Sequence, residues 1–368
     1  MNRIYIFTGK GGVGKSSIAA AHAIKSATEG KKTLLVSTDM AHNLGDIFMR
    51  KLGKEAENVM PDLDIYEIDP EYVMEHDFSS VMSYLGNLLS DVDTYSLQDM
   101  GMMPGMEELF SLLKIADIYN SETYERIIVD CAPTGETLSL LKFPELLSWY
   151  MEKLFPVGKV AVRMLSPISK SVFKVEMPNK SAMTDMEKMY LKLVELQELL
   201  KNRDVTSIRI VTTPEKMVVE ETKRNYMYMN LYNFNVDGLY INRILPKDIN
   251  NDFFHQWIMI QGEYITYLKE SFSALPIYEI PWYEEELRGV ENIRRIVEDV
   301  LAGKDVFEGK KLTQREHFKQ IEGGYQLEVF LPCVDKSSID LYQGTTDIVI
   351  KIGNFKRNLP LPNILRNY

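Results

Sequence analysis

Cysteine and long hydrophobic runs are both scarce in this chain of 368 residues. Only two cysteines occur, Cys131 and Cys333, and they lie far apart in the sequence. This excludes a disulfide framework and a CxxC metal pair, and it favours a reducing compartment. No apolar run approaches the roughly 20 residues that cross a bilayer.

An excess of positive charge is also missing. The formal charge is -11, with a pI near 5.2, and no stretch is dense in lysine or arginine. We therefore predict no nucleic-acid partner. The first residues, MNRIYIF, lack the basic region and apolar core of a secretory signal. Together these features predict a cytoplasmic protein.

Short segments rich in Ile, Val and Tyr alternate with stretches of helical length. This alternation predicts an α/β fold, with a mostly parallel sheet and helices on both faces. Ligands of such sheets bind beyond the carboxyl ends of the strands. The predicted strands are residues 4–7, 33–37, 63–68, 126–130, 208–213, 236–242 and 274–280.

Two stretches interrupt the alternation and are predicted as helical insertions, at about 73–120 and 145–203. Both contain many methionines, including MGMMPGM at 100–106. Two interpretations stay open. The methionines either fill gaps in a helical core or line an adaptable apolar groove for a client.

Beyond residue 304 the pattern changes to period-two segments separated by short polar turns. They predict a small antiparallel, β-sandwich-like domain at 305–368 after a large domain at 1–304. A unit of this size has little core of its own, so we expect it to dock on the large domain or on a partner.

A phosphate-binding pattern, GxxxxGK[ST], follows the first predicted strand and precedes a predicted helix. Glycines let main-chain N–H groups surround phosphate oxygens at the helix N-terminus. Lys15 is then the ligand of the β- and γ-phosphates, and the Ser16 hydroxyl is a Mg²⁺ ligand. The predicted loop residues are Gly9, Lys10, Gly11, Gly12, Val13, Gly14, Lys15, Ser16 and Ser17.

The narrower pattern GKGGVGKS resembles the deviant loop of the MinD, ParA, nitrogenase iron protein and arsenite-pump ATPase group. In that group the first lysine reaches the nucleotide of the facing subunit. The resemblance therefore implies that Lys10, besides Lys15, is catalytic, and that ATP lies at a homodimer interface. The alternative is that Lys10 is a solvated loop lysine.

The segment STDMAHNLGDIF (37–48) resembles the first switch of the arsenite-pump and tail-anchored-protein-targeting ATPases. Asp39 matches the family's water-positioning carboxylate, and a carboxylate there can orient water or accept its proton. His42 and Asn43 belong to the same switch. Met40 stands where the family usually has proline, so the rigidity of this turn differs.

The segment IIVDCAPTGETLSLLKFPE (127–145) resembles the second switch of the same family. Asp130 ends an apolar strand and would hold Mg²⁺ directly or through water. The switch continues through Pro133, Thr134 and Gly135, whose amide could sense the γ-phosphate. Glu136 replaces the common histidine. Cys131 is interpreted as a small buried filler.

The resemblance extends through most of the chain. Asn242, in LYINRILP, is similar to the family's adenine-reading amide, and an amide offers the donor and acceptor that a purine edge needs. IPWYEEELRGVE (280–291) resembles the loop over the base, which would place Pro281 and Trp282 near adenine. The alternative for Trp282 is an aromatic residue on a surface turn. The last segment resembles an α-crystallin or small heat-shock-like domain.

The chain is thus identified as a member of the ArsA-like ATPase family. The resemblance implies an ATP- and Mg²⁺-dependent homodimer that binds and releases a hydrophobic client, such as a tail-anchored protein helix. It also allows a membrane receptor that would hold the protein at a membrane surface. Two alternatives remain: an arsenite-pump energiser, which would need clustered thiolates, and a MinD- or ParA-type positioning ATPase.

Overall fold

The computed structural model describes residues 2–39, 43–79, 106–131, 185–249, 251–308, 316–322, 324–344 and 347–361. Helices in this part of the chain are α1 (Lys15–Thr28), α2 (Asn43–Phe48), α3 (Pro70–His76), α4 (Met106–Asn120), α5 (Asp185–Lys201), α6 (Lys216–Leu231), α7 (Asp252–Ser271) and α8 (Gly289–Ile296). None of these described helices is long and apolar enough to cross a membrane.

The central element is an eight-stranded sheet in the order β3-β4-β2-β5-β1-β6-β7-β8. Its pairs β4–β2, β2–β5, β5–β1, β6–β7 and β7–β8 are parallel, and β3 pairs antiparallel with β4. The predicted fold class is confirmed. The strands are β1 (Arg3–Thr8), β2 (Thr33–Ser37), β3 (Glu57–Met60), β4 (Leu63–Glu67), β5 (Arg126–Asp130), β6 (Thr206–Thr212), β7 (Val236–Ile244) and β8 (Ile277–Pro281).

The central strands are nearly continuous apolar runs because helices cover both faces of a parallel sheet. In β5, Ile127, Ile128 and Val129 are fully buried, and in β2 the same holds for Leu35 and Val36. Burying each such side chain contributes about 1.5–3 kcal/mol. Strand β3 was missed in the sequence because ENVM is short and only partly buried at the sheet edge.

The chain forms two compact units. The first unit comprises Met1–Thr206 and Glu285–Lys304. In it, α8 continues into a π-turn, Val297–Leu301, and packs on α1. The predicted insertions contain the second half of α3 and all of α4 and α5. Residues 80–105 and 132–184, with most of MGMMPGM, lie outside the described residues. The predicted groove therefore stays a prediction.

The second unit comprises Ser207–Glu284 and Asp305–Tyr368. It ends in two small antiparallel sheets, one of β9 and β10 and one of β11, β12 and β13. Their strands are β9 (Glu316–Ile321), β10 (Gly324–Val329), β11 (Ile339–Gln343), β12 (Asp347–Ile352) and β13 (Phe355–Pro360). The predicted antiparallel character of this segment is confirmed. The domain limits at 304 and 305 stay a prediction.

Strand β13 docks on the C-terminal end of α6. The Tyr232 hydroxyl donates to the main-chain oxygen of Lys356 at 2.7 Å, and the Arg357 guanidinium donates to the main-chain oxygen of Leu231. The rings of Tyr228 and Phe355 meet edge to face, with centroids 4.6 Å apart. Side-chain contacts of this kind give the small sheet the support that its own core lacks.

A buried ion pair joins β6, β7 and the segment after the π-turn. The Nε of Arg209 lies 3.4 Å from a carboxylate oxygen of Asp237, and both side chains are almost fully buried. The same guanidinium donates to the main-chain oxygen of Val306 and lies over the ring of Phe307, 5.8 Å from its centroid. One cation thus fixes Val306 and Phe307 against β6 and β7 within the second unit.

Replacing Arg209 by leucine should destabilise the protein by about 3–5 kcal/mol, because Asp237 is left buried without its cation. The measurement is thermal and urea unfolding of the purified chain. The double variant Arg209→Leu, Asp237→Leu should recover much of the loss, since it leaves no buried charge. A double variant as unstable as the single one would contradict this account.

Candidate functional site

A glycine-rich loop connects the end of β1 at Thr8 with the start of α1 at Lys15. Gly12 and Gly14 have φ values of 80° and 92°, in the left-handed region that side chains other than glycine rarely adopt. Gly14 is also the N-cap residue, and no side chain caps the helix. The first N–H groups of α1 therefore point at the loop without a capping oxygen, as an anion site requires.

The Lys15 side chain is buried within this loop. Its ammonium nitrogen lies 3.4 Å from the main-chain oxygen of Lys10, across the loop from its own backbone. The side chain thus carries a positive charge into the concave side of the loop. Lys10 itself is half-buried. The loop provides one fixed cation and a set of main-chain N–H groups.

Asp130 is fully buried at the carboxyl end of β5. Burial raises its pKa to about 6; the Ser16 hydroxyl and the Lys15 ammonium oppose the rise, and the carboxylate of Asp39 adds to it. The Ser16 hydroxyl is thus near enough to favour the charged form. Even so, neither carboxylate oxygen has a hydrogen bond of normal geometry within the described part of the chain. Four predicted site residues therefore meet at one end of the sheet.

Asp39 follows β2, which lies beside β5, with Ser37 opposite Asp130. The Thr38 N–H donates to the main-chain oxygen of Asp130 at 3.0 Å, and the Asp39 N–H donates to the Ser37 hydroxyl at 3.1 Å. These bonds fix the start of the first predicted switch beside the end of β5. Asn43 begins α2, whereas Met40 and His42 lie outside the described residues.

Thr38 was missed in the sequence, although it connects both predicted switches. Its hydroxyl donates to the Cys131 sulfur at 3.7 Å, while its N–H holds the backbone of Asp130. Cys131 is buried, and its N–H donates to the main-chain oxygen of Phe7 at 3.1 Å. The sequence feature that could have identified Thr38 is its position directly after a buried strand. Pro133, Thr134, Gly135 and Glu136 lie outside the described residues.

The three residues predicted near adenine lie in the second unit, on neighbouring strands. Asn242 is buried in β7, and its side-chain oxygen accepts the N–H of Arg243 at 2.9 Å. Pro281 ends β8 opposite Ile244. The Trp282 N–H donates to the main-chain oxygen of Ile244 at 2.8 Å, and its side chain is 53% exposed. The exposed Trp282 side chain therefore comes directly after β8, which pairs with the strand that contains the buried Asn242 side chain.

The donors around Asp130 fit a small hard cation. A buried carboxylate that lacks a hydrogen bond is costly unless a cation compensates it, and oxygen ligands are those that Mg²⁺ prefers. No group of three His, Cys, Asp or Glu residues suited to a metal occurs in the described ranges. A cation there would use Asp130 and the Ser16 hydroxyl, and it would share other ligands with water and a bound phosphate.

Comparison with known proteins identifies two segments. The model of the anion-transporting ATPase family matches residues 2–302, and the model of an HSP20-like domain found in ArsA matches residues 322–368. The chain is 33% identical over 379 residues to "Putative arsenical pump-driving ATPase 1" of Aquifex aeolicus, covering 99% of this chain and 95% of that protein.

Two further relatives span bacteria and fungi. The protein named "Putative arsenical pump-driving ATPase" of Chlorobaculum tepidum is 34% identical over 367 residues, covering 98% of this chain and 90% of the relative. The protein named ATPase get3 of Pyrenophora tritici-repentis is 31% identical over 313 residues, covering 80% of this chain and 90% of the relative.

These matches confirm the family and the enzyme class predicted from the sequence. The chain belongs to the anion-transporting ATPase family, with an HSP20-like domain in its last residues, and it is a nucleotide-binding ATPase.

Proposed function

We propose that this ATPase works as a homodimer, in which ATP-driven closure and hydrolysis control the binding and release of a hydrophobic client helix. The observation that carries the catalytic part is the buried Asp130 carboxylate, whose charged form the Ser16 hydroxyl and the Lys15 ammonium favour and which lies near Asp39. The loop binds phosphate, and the carboxylates lie beside it on two adjacent strands. This arrangement supports phosphoryl transfer to water.

Each residue of the site has a distinct task in this proposal. Main-chain N–H groups of the loop and the Lys15 ammonium bind the β- and γ-phosphates. Ser16 and Asp130 hold Mg²⁺, which when bound would neutralise charge that develops on the phosphate oxygens. Asp39 orients the attacking water or accepts its proton, and Thr38 fixes the backbone from which Asp39 extends.

Lys10 is assigned to the nucleotide of the partner subunit. Its main-chain oxygen faces Lys15, so the backbone of Lys10 is part of the loop of its own subunit. We therefore assign the contact with the partner subunit's nucleotide to the Lys10 side chain. Asn242, Pro281 and Trp282 are proposed to contact adenine, with the amide reading the base edge and Trp282 covering its face.

The client proposal rests on composition and on the family resemblance. The predicted insertions are rich in methionine, which adapts to apolar helices of different shape. An arsenite site would need clustered thiolates. The two cysteines of this chain belong to different units, which favours the client proposal over an arsenite site. We propose that the protein acts in the cytoplasm and that a membrane receptor accepts the client.

Replacing Lys10 by alanine should abolish ATP hydrolysis and ATP-dependent dimerisation, with a loss of about 10³-fold or more in turnover, as for residues supplied in trans. Nucleotide binding should largely persist, because alanine keeps the main-chain oxygen that faces Lys15. Turnover, binding of a fluorescent ATP analogue and sedimentation with and without ATP are the measurements.

The matched control for Lys10 is Lys31→Ala, which removes an exposed lysine paired with Glu125. It should leave turnover and ATP-dependent dimerisation unchanged. A Lys10→Ala protein that hydrolyses ATP at the normal rate would remove the role across the interface.

Replacing Asp39 by asparagine should lower turnover by about 10²–10⁴-fold, because the amide cannot accept a proton from water. ATP binding should persist, so the dimer should stay closed and retain co-expressed tail-anchored client. The measurements are turnover, sedimentation with ATP and recovery of the client with the purified protein.

Asp62→Asn, in the exposed turn before β4, is the control for the loss of a carboxylate. Unchanged turnover in Asp39→Asn would show that another group positions the water. Unchanged client recovery with impaired hydrolysis would separate the ATPase from the client proposal and contradict only the latter.

Replacing Asp130 by asparagine should stabilise the protein that lacks Mg²⁺ and nucleotide while abolishing hydrolysis. The folded-state pKa of about 6 exceeds the usual value of 3.8, so the folded state binds more protons than the unfolded state between these values. Stability therefore falls as pH rises through this interval, and the full penalty, up to about 3 kcal/mol, is present above about pH 7.

The measurement is the thermal midpoint of the wild type and Asp130→Asn as a function of pH, in EDTA. The stabilising effect of the variant should disappear below about pH 4, where the carboxyl group is protonated in both states. A pH-independent difference would contradict the buried charge as its cause.

A further inference from the structure

A row of three polar side chains crosses the carboxyl end of the sheet. In the strand register, Ser37 of β2 lies opposite Asp130 of β5 on one side and opposite Glu67 of β4 on the other. Residues at the same register position in neighbouring strands direct their side chains to the same face of the sheet. We call Glu67, Ser37 and Asp130 the polar row. Glu67 is half-buried and belongs neither to the phosphate loop nor to a predicted switch.

The Glu67 carboxylate is bonded to α2. One of its oxygens accepts the N–H of Gly45 at 2.9 Å, across 22 residues of sequence. Gly45 is the third residue of α2, and N–H groups in the first turn of a helix have no partner within the helix. A carboxylate is a stronger acceptor than a neutral group, and negative charge is favourable at this end of a helix. Glu67 thus anchors the first turn of α2 to β4.

The peptide groups around Gly45 are tightly fitted. The main-chain oxygen of Gly45 accepts the N–H of Arg50 at 2.9 Å, and Met49 just before it has a φ value of 55°. The chain therefore turns back sharply where α2 ends. A Cβ atom on Gly45 would lie 2.9 Å from the main-chain oxygen of Arg50, closer than Cβ atoms approach backbone atoms in proteins. Gly45 is bonded through both its N–H and its oxygen, so a lost bond to Glu67 would free one side of it.

The chain before α2 is attached to the same polar row. The N–H of Asp39 donates to the Ser37 hydroxyl at 3.1 Å. Three residues separate Asp39 from the start of α2 at Asn43. A connection of this length spans at most about 14 Å, so a displaced α2 changes where Asp39 can lie. The polar row therefore holds the first predicted switch at two points, Asp39 and Gly45.

The other contacts of α2 are less directional than the bond to Glu67. Leu44 and Phe48 are buried. Apolar burial is non-directional, so it keeps a helix on the sheet without fixing its rotation. The Arg288 side chain is exposed, and its Nε lies 3.4 Å from the main-chain oxygen of Asp46, longer than a typical hydrogen bond. Glu67 provides the short, directed bond that sets the orientation of α2.

We propose that Glu67 is a positioning residue for ATP hydrolysis. By binding the N–H of Gly45, it keeps α2 where Asp39 can orient the attacking water. The inference rests on the task that the proposed function gives to Asp39. Because the phosphate loop lies between β1 and α1, loss of the bond should slow the chemical step and leave nucleotide binding intact.

The test compares three substitutions of Glu67. Glu67→Ala should lower turnover by about 10–100-fold, because a misplacement of about 1 Å near the reacting atoms has an effect of this size. Glu67→Asp should show a similar loss, since its carboxylate is withdrawn by one methylene group. Glu67→Gln keeps an oxygen that can accept the N–H of Gly45, so it should retain at least about a third of the turnover.

KM for ATP and the binding of a fluorescent ATP analogue should stay within about twofold of the wild type in all three variants, because the phosphate loop is unchanged. Hydrogen exchange in a peptide covering residues 43–48 should become at least about tenfold faster in Glu67→Ala and Glu67→Asp. Full activity in Glu67→Asp with a large loss in Glu67→Gln would show that charge, and not the bond to Gly45, is required.

Glu57→Ala is the matched control. The Glu57 carboxylate accepts the N–H of Gly53 at 2.7 Å, so the variant removes the same kind of bond outside the switch. Its turnover and its exchange in residues 43–48 should equal those of the wild type. Circular dichroism and thermal midpoints establish that the variants are folded. If Glu67→Ala fails to fold, Glu67→Asp and Glu67→Gln decide the question.

A double-mutant cycle tests whether Glu67 acts through Asp39. In an Asp39→Asn background, Glu67→Ala should lower turnover by less than about threefold more, because the group that it positions has already lost its function. An undiminished loss in that background would overturn the proposal. Normal turnover in Glu67→Ala, with Asp39→Asn impaired, would contradict this inference alone. Normal turnover in Asp39→Asn would instead contradict the task of Asp39 in the proposed function, and this inference with it.

Discussion

The carboxyl end of the sheet depends on a buried carboxylate whose oxygens have no hydrogen bond of normal geometry within the described region. Asp130 lies at the end of a fully apolar strand, where desolvation of its charge is costly. Lys15 and Ser16 offset part of that cost, while Asp39 increases it. In the proposed function, a bound cation and a phosphate would offset this cost, and both groups would arrive with the substrate.

Main-chain bonds between neighbouring strand ends hold this arrangement together. The N–H of Thr38 and the N–H of Cys131 bind the backbones of Asp130 and Phe7, respectively, so β1, β2 and β5 are joined just beyond their last residues. Both predicted switches begin at this junction. If phosphate binds as proposed, we expect its arrival and departure to act on both segments through this short set of hydrogen bonds.

The sequence predicted the features that depend on local pattern. Strands β2 and β5 were placed correctly to the residue because continuous Ile, Val and Leu runs end abruptly at polar residues. Strands β3 and β9 were missed, since their residues are largely polar or half-exposed. Alternation of apolar and polar residues cannot identify a strand when both of its faces are partly exposed to solvent.

Only the site residues that belong to a recognisable motif could be predicted from the sequence. The glycine loop and Asp130 carry recognisable spacing, whereas Thr38 acts through its main-chain N–H and through a hydroxyl contact with Cys131 that no motif marks. The docking of α7 through Gln261 and Leu268 was also missed, because intervals of three and four residues do not by themselves say which side of a helix is buried.

Gln261 has a consequence that reaches beyond the packing of its helix. Its amide spans the main chain on both sides of Ile244, and the oxygen of Ile244 receives the N–H of Trp282. Asn242 lies two residues earlier on the same strand. A displacement of α7 would therefore move the peptide groups between Asn242 and Trp282, the two residues that we propose to contact adenine.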